Sequence, residues 1–377
     1  MKRRVCYISG TRADYGLMQG TLLRAHRNST LDVSVCVTGM HLSATYGLTV
    51  REIEQAGLRI CGRIAVDVES IDGAGMARAL GRELLGMVDV LQAERPELVV
   101  VMGDRGEMLA GALAAIHLNI PVAHIHGGER SGTVDEPVRH AISKLAHYHF
   151  VATDGSRERL IRMGESPGCI FVTGAPGLDG LADFTGRPRA ALCANHGFDA
   201  GQPVALVVFH PVLQTADDAG REMAAVLDGV LAAGAQILCL MPNSDAGGQA
   251  VRGKIAEYTR RPGFQSAVHL GRDDYLAWLA AADVLVGNSS SGIIEAASFG
   301  LPVVNVGDRQ NGRERNANVT DVPADPAAIR RAVEAALAGG RLPARNIYGD
   351  GRAGEQIVGL LSSLPLPQSL LRKSNAY

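Results

Sequence analysis

Short apolar runs alternate along the chain with segments of helical period. In the first half RVCYISG, LDVSVCVTG, RIAVDV, ELVVVMGD, PVAHIHGG and HFVAT read as strands. Between them YGLMQGTLLRAHR, the stretch near VREIEQAG, a long segment from about Met76 to Ala93, EMLAGALAAIHLN and VRHAISKLAH space their apolar residues as helices do. The pattern weakens into Gly, Pro and charge around TGAPGLDGLADFTGRPRAAL, which reads as a linker. It then resumes with PVALVVFHP, AQILCLMP, SAVHLG, DVLVGNSSS and PVVNVGD as strands, again separated by helical segments. Apolar strands joined by amphipathic helices imply parallel sheets covered on both faces. The expected fold class is therefore α/β, with two Rossmann-like doubly wound domains facing a central cleft. The first domain is expected over residues 1–178 and the second over 179–361, with a C-terminal helix at about 362–377 packing back on the first. Ligands of such sheets sit at the carboxyl ends of the strands, so a cleft between two of them lets each domain supply half of a site.

Composition narrows the function. At 377 residues the chain suits two cores better than one. A formal net charge of -2 gives no footprint for nucleic acid or an anionic membrane, and no run reaches transmembrane length. The start MKRRVCYISGTRADYG leads straight into a strand and lacks the apolar stretch of a signal peptide, so the expected location is the cytoplasm. Cys6, Cys36, Cys61, Cys169, Cys193 and Cys239 show no CxxC spacing and read as reduced core residues.

The candidate chemistry lies at strand ends. YISGTRADYG places Arg12 and Asp14 after the first strand without the GxGxxG that a dinucleotide needs, so no nicotinamide cofactor is expected. Arg12 either pairs with a phosphate or braces the loop through Asp14. VVVMGDRGEMLAG sets Asp104 and Arg105 at the end of another strand, to face ligand or, alternatively, to cap the following helix. NSSSGIIEAASFG puts Ser289 and Ser290 between a strand and a helix, with Glu295 further along, as a cup for phosphate. Downstream, one or more of Arg309, Arg313 and Arg315 is expected to answer the same anion. His210 and Asn243 close two strands of the second sheet and point toward the cleft.

HIHGGE, residues 124–129, raises the question of a metal, because five of eleven histidines lie at 124, 126, 140, 147 and 149. His124 and His126 share one strand face by alternation, but the glycines break the run and no further cluster converges. The expectation is no metal. The alternative is proton transfer at a sugar, with Asp104, Glu129 and Asp135 supplying carboxylates and His126 a group that titrates near neutrality.

Taken in order, GTRADYG, GDRGEMLAGA, HIHGGE, DEPVRHAISKLAH, PNSDAG, GNSSSGIIEA and GDRQNGRERNANV resemble the hydrolysing UDP-N-acetylglucosamine 2-epimerases of bacterial sialic and legionaminic acid synthesis. The resemblance spans nearly the whole chain. It implies the glycosyltransferase-B architecture, a UDP-sugar substrate, no cofactor, and a homodimer or tetramer. It implies loss of UDP from carbon 1 with removal of the carbon 2 proton, giving a 2-acetamidoglucal that water converts to the free manno sugar. By position, Asp104 and Asp135 match carboxylates of the proton traffic, Arg12, Arg105 and His210 match substrate-binding residues, and Ser289, Ser290, Glu295 and Arg309 match the nucleotide set. Mammalian relatives read HIEGGE, with a catalytic Glu where this chain has His126, which leaves the acid/base role open between His126 and Glu129. UDP-N-acetylglucosamine is the first expected substrate and UDP-N,N'-diacetylbacillosamine the second. A non-hydrolysing epimerase, a glycosyltransferase and a silent nucleotide-sugar sensor are the competing readings.

Overall fold

The computed structural model describes residues 2–69, 72–181, 184 and 186–376. It contains two parallel sheets. The first holds β1 (Arg3–Ser9), β2 (Leu31–Thr38), β3 (Arg59–Ile64), β4 (Leu98–Met102), β5 (Val122–Ile125), β6 (Tyr148–Val151) and β7 (Ile170–Val172) in the order β3-β2-β1-β4-β5-β6-β7. The second holds β8 (Val204–Val208), β9 (Gln236–Leu240), β10 (Phe264–Ala267), β11 (Val284–Gly287), β12 (Val303–Val306) and β13 (Val319–Val322) in the order β10-β9-β8-β11-β12-β13. In each, the order reverses once, between β1 and β4 and between β8 and β11. A crevice opens at such a point because neighbouring connections leave to opposite faces.

Alternation along the central strands shows why both faces must be covered. Val5 and Tyr7 of β1 pack with Met18 and Leu22 of the helix Arg12–Arg27, whereas Cys6 and Ile8 pack on the other side with Met87 and Met108. Likewise Val204, Leu206 and Val208 of β8 meet Trp278, while Ala205 and Val207 meet Val226 and Val230. The six cysteines are free thiols, four of them buried and Cys61 and Cys169 half-buried. The short strands β7 and β13 escape the apolar pattern, since their exposed positions leave too little contrast.

The helix that returns to the first domain is Ala353–Ser363, so it begins before residue 362. Ala353, Ile357, Val358 and Leu361 join the core around Met18 and Leu22. The following tail continues across the same domain. Lys373 Nζ donates to the carbonyls of Ser143 (3.1 Å), Lys144 (2.8 Å) and Ala146 (2.6 Å), closing the end of the helix Asp135–Leu145. The stretch read as a linker contains the 3-10 turn Pro176–Leu178 and the start of the helix Arg189–Asn195, and its residues 182, 183 and 185 lie outside the described residues. Among the described residues no helix is long and apolar enough to cross a membrane.

Candidate active site

The carboxyl ends of β1, β4 and β5 face those of β8, β9, β11 and β12 across a cleft of about 1640 Å³, open mouth included. Asp104, His126, Glu129, Asp135, Arg12, Arg105, His210, Asn243, Ser289, Ser290, Glu295, Arg309 and Arg313 all line it. Arg315 does not: it is held by Asp321 (3.1 Å) and by the carbonyl of Gln310 (2.8 Å).

On the first domain's rim, HIHGGE turns sharply rather than running on as strand. His126 follows β5 with a φ of +61°, and its amide donates to the Phe150 carbonyl at 3.0 Å. That left-handed residue overturns the expectation that His124 and His126 share a face. His124 turns inward, its Nε2 2.7 Å from the Gly103 carbonyl and its Nδ1 3.0 Å from Ser143 Oγ, while His126 lines the cleft. Burial pushes the His124 pKa down to about 3. Gly128, φ +73°, closes the turn where a Cβ would lie 2.4 Å from the Ser156 carbonyl. Among the described residues no group of three or more His, Cys, Asp or Glu side chains is placed to hold a metal.

Glu129 is 3 % exposed and pairs two ways. One oxygen lies 2.5 Å from His126 Nδ1, and the other 2.7 Å from Arg313 Nη1 of the opposite domain, at an angle outside hydrogen-bond geometry. Burial alone would raise its pKa, but Arg313 and His126, followed by Arg159, outweigh it and hold the carboxyl at about 2. A carboxylate held ionised is a poor proton donor and a good orienter. It accepts a hydrogen bond from the Nδ1–H of His126, which leaves the lone pair of the imidazole on Nε2.

Asp104 does not cap a helix: the helix Gly106–His117 starts from Arg105 without a side-chain cap, and Asp104 pairs with Arg139. Arg139 is fully buried and also reaches the carbonyl of Glu129 at 3.1 Å. The sequence reading missed it. Its signal was its spacing, because 139 shares a helical face with the buried Ile142 and Ala146. Asp135 opens the helix Asp135–Leu145 and lies 3.6 Å from Arg309 Nη2 of the second domain. Arg105 spans the cleft, 2.9 Å from Glu107 and 3.2 Å from Asp245, a partner also missed although it stands in PNSDAG.

Arg12 does not brace its loop through Asp14. Asp14 is buried and takes the amides of Gly10 (3.1 Å) and Thr11 (2.6 Å), while Arg12 reaches the second domain at the Val268 carbonyl (2.7 Å) and His269 Nδ1 (2.9 Å). Because a guanidinium only donates, His269 Nδ1 must accept, and its Nε2 proton goes to Glu52.

The second rim is built around Asn288. Its side chain and His210 exchange backbone bonds at 2.7 and 2.8 Å, and its carbonyl accepts from Arg309 Nη1 (3.1 Å) and Gln310 Nε2 (2.9 Å). His210 Nδ1 accepts the Asn243 amide at 3.2 Å, so its proton sits on Nε2. Burial, reinforced by Arg309, pushes its pKa down to about 3. Ser289 caps the helix Ser290–Ile294 through the Ser291 amide at 3.3 Å. With only five residues that helix adds little dipole, so the expected cup depends on hydroxyls and arginines more than on helix amides. Glu295 sits at its end, buried, 2.5 Å from Arg272, which the sequence reading also missed.

A family model described as UDP-N-acetylglucosamine 2-epimerase matches residues 23–362. The chain belongs to the UDP-N-acetylglucosamine 2-epimerase family. It is 51% identical over 377 residues, all of both chains, to a Legionella pneumophila protein named UDP-N,N'-diacetylbacillosamine 2-epimerase (hydrolyzing). It is 32% identical over 351 residues to the Neisseria meningitidis UDP-N-acetylglucosamine 2-epimerase, covering 93% of this chain and 92% of that one. The crystal structure of a Neisseria meningitidis UDP-GlcNAc 2-epimerase bound to UDP-GlcNAc superposes with a TM-score of 0.78 at 18% identity, over 95% of this chain and 99% of the other. At that identity the likeness shows the fold, two α/β domains of the glycosyltransferase-B type.

Proposed function

We propose that this epimerase-family chain is a hydrolysing 2-epimerase that converts UDP-N,N'-diacetylbacillosamine and water to UDP and the free 2-acetamido sugar of manno configuration. The sequence alone ranked UDP-N-acetylglucosamine first. The full-length relative at 51% identity supports the diacetamido substrate instead. UDP-N-acetylglucosamine is the second reading, favoured by the Neisseria relative.

The observation that carries the chemistry is the opposition of the rims: carboxylates with a histidine on one side, arginines, serines and a neutral histidine on the other. The carbon 2 proton is weakly acidic, so its removal becomes feasible only as the carbon 1 to oxygen bond breaks. Arg309, Ser289, Ser290 and the Nε2 proton of His210 stabilise the departing diphosphate. His126, oriented by Glu129, and the carboxylates Asp104 and Asp135 exchange protons at carbon 2. The first step releases UDP and leaves a carbon 1 to carbon 2 double bond. In the second, water adds its oxygen at carbon 1 while a proton returns to carbon 2 from the opposite face.

Proton NMR of products formed in D2O tests this. The expected result is UDP and free manno sugar carrying deuterium at carbon 2. Recovery of a carbon 2 epimer still attached to UDP would replace the hydrolytic reading with a reversible one.

A further inference from the structure

Beside the main cleft lies a second cavity of about 550 Å³, open mouth included. Thr11, Met40 and Arg105 line both spaces, so the side cavity adjoins the cleft at the residue next to Asp104. Its walls are largely apolar, formed by Met40, Val66, Val68, Met76, Ala79 and Leu80. Its polar side is acidic: Glu83, Glu107, Asp67 and Asp245 line it. Arg105, the one basic residue among the lining residues, already spans Glu107 at 2.9 Å and Asp245 at 3.2 Å.

This composition selects a ligand class. A phosphate or carboxylate would meet more like charge than the committed Arg105 can offset. A bare hydroxyl would leave the apolar walls facing water. A short N-acyl arm suits both parts, with its methyl against Met76, Ala79 and Leu80 and its amide N–H directed to a carboxyl. Glu83 stands ready for that bond. It is 5 % exposed and lies 3.0 Å from the Thr38 hydroxyl. Burial, and then Glu107, raise the Glu83 pKa to about 8, which suits an uncharged neighbour.

We infer that this side cavity receives the second acetamido group of a UDP-2,4-diacetamido-6-deoxy sugar and sets the preference for that substrate over UDP-N-acetylglucosamine. The inference rests on the 2-epimerase reading above and adds where its substrate is recognised. Ala79 and Val66 become specificity-determining positions, and neither of them lines the main cleft.

The test compares the parent enzyme with Ala79→Leu and Val66→Phe, each checked for an unchanged melting temperature, on both UDP-sugars and in UDP titrations. Filling the cavity should lower kcat/KM for the diacetamido substrate by about 10-fold or more, through KM, with UDP-N-acetylglucosamine turnover and UDP affinity held within about twofold. If the parent accepts the diacetamido substrate alone, UDP affinity is the reference. Equal losses on both substrates, or no loss on either from the variant that folds, overturn the inference. A parent that hydrolyses UDP-N-acetylglucosamine and ignores the diacetamido sugar also overturns it, while leaving the 2-epimerase reading intact. A parent that turns over neither sugar defeats that reading itself.

Discussion

The two rims of the cleft are made of the same element, the carboxyl end of a parallel sheet, and they hold their charges differently. On the first domain the groups lining the cleft include carboxylates and a histidine with arginine partners. Asp104 is matched by Arg139 of its own domain, but Glu129 and Asp135 are matched by Arg313 and Arg309 from across the cleft. On the second domain His210 is kept neutral by burial and by Arg309, and its orientation comes from Asn243 and Asn288 nearby. The His210 rim is thus assembled within one domain, whereas two of the three carboxylates on the other rim find their cationic partners only across the cleft. If the proposed function holds, the groups assigned to the carbon 2 proton are complete only where both domains meet.

The sharpest way to break this contrast is His126→Gln. Loss of a general acid/base group commonly costs roughly 100-fold to 10,000-fold, so kcat should fall by that order while UDP titration is unchanged. A variant that turns over at the parent rate would return His126 to a purely structural role. Arg309→Ala comes next, because it serves both rims. UDP affinity should weaken by about 1.5 to 3 kcal/mol for a lost charge-assisted bond, measured by calorimetry. An unchanged UDP isotherm would remove Arg309 from the diphosphate site.

Acid stability sharpens the comparison from another side. His124 in the first domain and His210 in the second are both held at about 3, below the ordinary value near 6.5. A depressed histidine contributes stability that is complete above the unfolded value and is lost as pH falls from about 6.5 toward 3. Each should therefore take away about 1.4 kcal/mol per pH unit below 6.5. Urea midpoints at pH 7 and pH 5 measure the slope, and His124→Asn should reduce it. A slope identical in that variant would contradict the neutral buried state. The smallest effect belongs to Ser290→Ala, where loss of one neutral hydrogen bond to diphosphate should cost about 1 kcal/mol of UDP affinity.

Much of this was readable in the chain because parallel sheets announce themselves. Strands apolar on both faces, followed by helices, fixed two α/β units, and the polar residue ending each run marked the rim, as with Asp104, His210 and Ser289. What stayed hidden depends on the approach of distant segments. That Arg313 meets Glu129 follows from the packing of one domain against the other, which no local spacing encodes. The turn at His126 was equally obscure, since a positive φ is uncommon for any residue other than glycine. Arg139 went unnoticed, although its spacing puts it on one face with the buried Ile142 and Ala146.

The return of the chain to the first domain has a consequence for how the protein is made. The returning segment carries Lys373, whose amine closes the helix that begins at Asp135. During synthesis the second domain emerges as one uninterrupted stretch, and its core is complete once Tyr348 has left the ribosome. The earlier-born domain waits. Its core lacks Ile357 and Leu361, and its Asp135 helix lacks its C-terminal clasp, until those later residues have been made. The segment after residue 352 therefore completes the part of the molecule that is made first, and a nascent chain that stops short of Ile357 carries the second domain beside a first domain whose core is unfinished.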